Sequence, residues 1–166
     1  MNETPVPKIS EDLLREMYRH AEETYPSECC GMLLGPKGSA DPTELRRMKN
    51  AYDEFHARDP EQFPRTSKTA YFMDPEELLA VQKIQRERAL EIKVIYHSHV
   101  EVGAYFSEED KRVATYAGEP VMPGVAYAVI SCRKGKDGKG KSDAAALFIW
   151  DPATREFEEE EHYVRG

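Results

Sequence analysis

Apolar positions recur at three- and four-residue steps from Glu11 to Tyr25, through Leu13, Leu14, Met17, Tyr18 and Ala21. That spacing predicts one apolar helix face, with Ser10 as its cap and Pro26 as its stop. Cys29 to Gly35 is an apolar run closed by Gly-Pro, and Thr43 to Met48 alternates, so the two read as a hairpin. Residues 51 to 68 combine Pro60 and Pro64 with many charges and follow neither period, which predicts a long mobile loop. Ala70 to Met73 is a short strand candidate. Asp74-Pro75-Glu76-Glu77 then sets a cap, a first-turn proline and a capping-box acid in order, opening a helix to about Leu90.

Ile92 to His99 reads as a strand, and Ser107 opens a further helix that Gly118-Glu119-Pro120 stops. Three more strands are predicted over Val125 to Cys132, Ala144 to Asp151 and Glu156 to Val164. The lysines and glycines of Arg133 to Ser142 form a flexible hairpin tip between the first two. Helices interspersed with strands, without strict alternation, predict an α/β domain around a mixed sheet.

Composition narrows the class. The chain has 166 residues, 40% of them apolar and 33% charged, which suits a single domain with a buried core over 1–166. No apolar run approaches the roughly 20 residues of a spanning helix, and the first thirty residues lack a signal-peptide core. A formal net charge of -8 disfavours a nucleic-acid partner, since phosphate neutralisation needs a basic surface. Three cysteines, two of them adjacent as Cys29 and Cys30, make no disulfide framework. The expectation is a cytoplasmic protein with neither a membrane nor a nucleic-acid partner.

His97 and His99 lie two apart on a predicted strand, so their side chains share a face and can converge on one ion. Hydrolytic zinc sites use three protein ligands and leave a fourth position to water. Asp110 is the candidate third ligand. It lies one turn into the Ser107 helix, and the loop from Val100 to Phe106 is long enough to swing that helix start beside the strand end. Ser107 to Asp110 reads equally as a helix-capping sequence, and spacing alone leaves both readings open.

His97-Ser98-His99, seven residues, then Ser107-x-x-Asp110 resembles the metal motif of the JAMM (MPN-plus) metallopeptidase family, H-x-H-x(7)-S-x-x-D. Tyr25-Pro26-Ser27-Glu28-Cys29-Cys30-Gly31 is similar to the segment that carries a glutamate in bacterial and archaeal members. Asn50, the Asp74-Pro75-Glu76-Glu77-Leu78 helix start, Ile95-Tyr96 and Pro123-Gly124-Val125 extend the resemblance over most of the chain. Val100 departs from it, because the family usually has proline after the second histidine.

The resemblance implies a single MPN domain, with a mixed, mostly antiparallel sheet flanked by about three helices. It implies one zinc ion on His97, His99 and Asp110, Glu28 as general base, and Ser107 as donor to the developing oxyanion. The short stretch between Asp110 and Val125 has no room for the second zinc of some eukaryotic members. The implied substrate is the amide bond after the Gly-Gly tail of a ubiquitin-like or sulfur-carrier protein, as in release of cysteine from a carrier.

Two other readings stand beside it. One is a thiol nucleophile at Cys29 or Cys30 with His97 or His56 as base, although both cysteines lie in an apolar run where inert thiols are commoner. The other is a non-catalytic scaffold of the same fold. His20 and His162 have no partners at suggestive spacing.

Overall fold

The structure is a computed structural model and describes residues 5–166. The first elements are β1 (Ile9–Ser10) and α1 (Glu11–Thr24). Ser10 caps α1 by accepting the Leu13 N–H at 3.2 Å, and Leu13, Met17, His20 and Ala21 form its buried stripe. Then come β2 (Cys30–Pro36), β3 (Glu44–Met48), α2 (Tyr52–Arg58), α3 (Pro75–Arg88) and β4 (Leu90–Val100). The chain continues through α4 (Glu108–Ala114), β5 (Thr115–Tyr116), β6 (Glu119–Pro120), β7 (Ala126–Lys134), β8 (Gly140–Asp151), β9 (Glu156–Glu160) and β10 (Val164–Arg165).

Six strands form one sheet in the order β3-β2-β4-β7-β8-β9. The β4–β7 pair is parallel and the other four pairs are antiparallel, so the mixed, mostly antiparallel α/β architecture holds. A parallel pair needs a crossover, and residues 101–125 supply it with α4 inside. Both faces of the sheet are covered. Val94 and Tyr96 of β4 pack with Leu13, Met17 and Ala21 of α1, whereas Ile95 packs on the other face with Val81 of α3 and Ala114 of α4. The two-residue period therefore turns His97 and His99 toward the α3 and α4 side.

Several expectations need correction. Among the described residues there are four helices, because the stretch expected to lack regular structure contains α2. Tyr52, Phe55, Phe63 and Phe72 stack together at 4.8–5.6 Å between ring centroids, and this long-range cluster carries no local period. The segment expected as a strand at 70–73 makes only an Asn50–Met73 bridge. No capping box opens α3. Asp74 makes no side-chain cap, and the Glu77 carboxylate instead accepts the Lys49 N–H at 2.9 Å.

Helix α4 ends at Ala114, short of Gly118, and the β5–β6 pair follows it. At the expected tip, β7 and β8 run on to pair Lys134 with Gly140. The last predicted strand is interrupted at 161–163, and β10 leaves the main sheet to pair with β1. Among the described residues, no helix is long and apolar enough to cross a membrane.

Candidate metal centre

The centre is built at the C-terminal end of β4, inside the sheet. His97 and His99 are 0% and 4% exposed, and Asp110 in the first turn of α4 is also buried. His97 Nε2 lies 3.1 Å from Asp110 Oδ1, and His99 Nε2 lies 3.0 Å from Asp110 Oδ2. One donor atom from each of the three residues falls within 4.8 Å of the others. The capping reading is also realised. Ser107 Oγ accepts the Asp110 N–H at 3.0 Å while Asp110 Oδ2 accepts the Ser107 N–H at 3.0 Å, a complete capping box. Capping and convergence on the histidines are one arrangement, because the cap fixes the carboxylate that faces them.

The donor atoms fit a cation. His99 Nδ1 is 3.0 Å from the Gly103 carbonyl, which can only accept, so Nδ1 holds the hydrogen. A neutral His99 then turns a lone pair at Nε2 toward a carboxylate oxygen, and only a proton or a cation between them makes that contact favourable. His97 is more exposed to the same argument, because neither of its buried ring nitrogens has a hydrogen-bond partner among the described residues. Its Nε2 is near Asp110 yet off the line a hydrogen bond needs. Two imidazoles and one carboxylate are a borderline donor set that suits zinc. Burial pushes the Asp110 carboxyl up, but the charge of His97, the contacts from both histidines and the Ser107 amide together hold it well below the usual carboxylate range.

Glu28 is 5% exposed and lies two residues before the start of β2. The register pairs Cys30 with His97, so two residues further back Glu28 reaches the level of His99. Its backbone is fixed on both sides. The Glu28 N–H donates to Ser67 O at 2.7 Å, and Asn50 Nδ2 donates to Glu28 O at 2.9 Å. Ser98, on the opposite face from the two histidines, accepts the Cys29 N–H at 2.8 Å and donates its own N–H to Cys29 O at 3.1 Å. Burial first, and the charge of Asp110 second, push the Glu28 carboxyl up to about 8, against the opposing charge of Arg65. Glu28, Tyr71, His99, Ser107 and Asp110 line a cavity of about 30 Å³. That is room for one or two waters.

The chain belongs to the family of prokaryotic homologs of the JAB domain. That family matches residues 10–148, most of the sheet and all four helices. The CysO-cysteine peptidases of Mycobacterium tuberculosis and Mycobacterium bovis are 34% identical to this JAB-domain protein over 125 residues, which span 75% of this chain and 73% of theirs. A solved structure from Salinibacter ruber has a TM-score of 0.62 at 29% identity, covering 96% of this chain and 91% of that one. A JAB1/MPN domain protein from Archaeoglobus fulgidus has a TM-score of 0.52 at 17% identity, covering 96% and 98%, and shares the fold.

Within this JAB domain four of the five residues singled out from the sequence, Glu28, His99, Ser107 and Asp110, line one small space, and the fifth, His97, lies behind it against Asp110 and His99. Three neighbours had no signal of their own. Tyr71 stacks on the His97 ring at 4.5 Å and 26°, Ser98 ties the Glu28 segment to β4, and Arg65 acts on Glu28 through its charge. The thiols are set apart from this chemistry. Cys29 and Cys30 are 1% and 0% exposed, and burial pushes the Cys29 thiol up to about 12 and the Cys30 thiol higher still. His56 Nδ1 is engaged by the Phe63 carbonyl at 2.6 Å.

Proposed function

We propose that this protein is a zinc-dependent peptidase that hydrolyses the amide bond after the Gly-Gly tail of a ubiquitin-like or sulfur-carrier protein in the cytoplasm. The observation that carries the reading is the convergence of His97, His99 and Asp110 within 4.8 Å, beside a buried glutamate. The name of the mycobacterial relatives supports the substrate class. Buried, unpaired Cys29, Cys30 and Cys132 suit a reducing compartment.

His97, His99 and Asp110 would hold one zinc ion, which when bound supplies Lewis acidity and brings the pKa of a water toward neutrality. Glu28, outside that donor set, takes a proton at its carboxylate and returns it to the leaving amine. Its burial favours the protonated carboxyl, which helps it accept and hold a proton. The Ser107 hydroxyl accepts the Asp110 N–H and keeps its own proton, which it can donate to a carbonyl oxygen gaining charge. Glycines at the tail let an extended strand reach a cavity too small for side chains.

The test is incubation of the zinc-loaded protein with carrier proteins extended beyond Gly-Gly, followed by intact-mass analysis and metal quantification. Cleavage after Gly-Gly with one zinc per chain is expected. Stable substrates together with zinc-free protein would replace this reading with a scaffold.

A further inference from the structure

The β7–β8 hairpin carries a charge unlike the rest of the chain. Arg133 to Lys141 contains five basic residues and one acid, in a protein whose formal net charge is -8. Solvation of a turn needs charge but no single sign of it. Arg133 pairs with Asp143 at 3.1 Å, whereas Lys134, Lys136, Lys139 and Lys141 are exposed and, among the described residues, join no salt bridge. The acids around the tip are engaged otherwise. Asp137 accepts the Lys139 N–H at 3.0 Å, Glu22 accepts the Ser142 N–H at 2.8 Å, and Glu23 pairs with Arg47 at 2.6 Å.

The fold fixes this tip relative to the metal centre. β7 runs parallel to β4 with Ser131 opposite His99, so the hairpin continues past the end of β4 that carries the histidines. Its base is tied to the loop that follows His99. Arg133 donates to the Glu101 carbonyl at 3.0 Å, and the Glu101 carboxylate accepts the Lys134 N–H and, at 3.1 Å, the Tyr25 hydroxyl. The same loop supplies the Gly103 carbonyl that holds His99. An open groove of about 710 Å³ is walled by Tyr25 and Pro26, just after α1, and by Lys134 and Lys139 of the hairpin. Glu28 stands two residues beyond Pro26.

We propose that this basic tip is the docking surface for an acidic face of the carrier protein, holding the folded body of the carrier while its tail enters the metal centre. This rests on the peptidase reading and adds where the partner docks and what charge it brings. A cavity of about 30 Å³ can receive a tail but offers nothing to a folded body, so recognition of the body needs a surface outside it. The remainder of the chain is acidic on average. An acidic partner is therefore repelled from most directions and drawn to the hairpin, which speeds encounter and sets orientation.

The experiment gives the zinc-loaded protein two substrates with one tail, a sulfur-carrier protein of acidic net charge extended by one cysteine after Gly-Gly, and a short peptide with the same last residues. kcat and KM are measured for the wild type and for Lys134→Gln, Lys136→Gln, Lys139→Gln and Lys141→Gln combined, in about 20 mM and about 500 mM salt. At low salt the carrier-to-peptide ratio of kcat/KM should fall at least about tenfold in the variant, through KM, since four weak surface contacts act together. At high salt the two proteins should differ by less than about twofold, and the same four positions changed to arginine should keep the wild-type ratio. An unchanged ratio, a loss carried by kcat, lysine-dependent self-association, or anionic vesicles or duplex DNA bound as tightly as the carrier would overturn the proposal and leave the peptidase reading standing. Salt- and lysine-dependent binding of the carrier to Glu28→Gln protein, with no cleavage by the wild-type holoprotein, supports the docking surface and removes the peptidase reading.

Discussion

Ser107 and Asp110 clasp each other in both directions, each side-chain oxygen accepting the other residue's backbone N–H at 3.0 Å. Because Asp110 Oδ2 also lies 3.0 Å from His99 Nε2, helix capping and ligand placement can be separated only by a change that keeps the oxygen and removes the charge.

Asp110→Asn is that change. Its amide oxygen can still accept the Ser107 N–H, so the helix cap survives, and the metal-free protein should still unfold cooperatively, less stable than the wild type by the lost attraction between the carboxylate and the histidines. Zinc per chain should fall to near zero, as it should in His97→Ala and His99→Ala, since two protein donors are too few for a tight site. Full zinc content in any of the three, measured by metal analysis, would remove that residue from the donor set.

Glu28→Gln separates proton transfer from binding. Turnover should drop on the order of a hundred- to ten-thousand-fold while zinc content and affinity for a Gly-Gly-tailed carrier stay as in the wild type. Loss of zinc would make Glu28 a ligand, and near-normal turnover would place the base elsewhere.

The same substitution has a signature in pH. The folded Glu28 pKa is raised from 4.5 to about 8, so the fold favours the protonated form. Its contribution is fully present below pH 4.5 and is lost as pH rises through about 8. In the metal-free protein, the stability difference between wild type and Glu28→Gln should shift against the wild type across that window, as read by urea denaturation at each pH. A difference that is flat from pH 4.5 to 8 contradicts the raised pKa.

Chelation and alkylation should give opposite results. Phenanthroline should abolish hydrolysis, while Cys29→Ser and Cys30→Ser should each retain substantial activity and iodoacetamide should act slowly on thiols that burial keeps protonated. Rapid inactivation by iodoacetamide with resistance to chelator would favour a thiol nucleophile.

Hydrogen exchange should divide the two regions that the sequence reads as mobile. The Phe63 and Ser67 amides donate to Asp59 O and Asp53 Oδ1, and the aromatic cluster covers the segment, so they should exchange at least about tenfold more slowly than the turn at 135–139. Equal rates would restore the picture of a long mobile loop.

The sequence declares what is periodic or tightly spaced. α1, the β2–β3 hairpin and β4 follow from apolar steps, and His97, His99, Ser107 and Asp110 from fixed offsets along one stretch of chain. Glu28 is legible only through family resemblance, since its place beside His99 depends on β2 pairing with β4. Helix α2 escapes local reading because Phe63 and Phe72, well beyond its end, supply the surface it packs on. Tyr71 and Arg65 escape for the same reason. Their roles come from a wall held by Asp53 and Ser67, and no spacing rule connects those residues to His97.

The pairing of Cys30 with His97 also makes the site depend on two parts of the chain that are far apart in sequence. His97, His99 and Asp110 belong to one short continuous stretch, so their donor set can gather once β4 and α4 meet. Glu28, the proposed proton carrier, comes from a distant part of the chain and reaches the level of His99 through the pairing of β2 with β4. Under the proposed function, the ligands without β2 would therefore bind metal but lack the base, so cutting would depend on the strand pairing as much as on the metal.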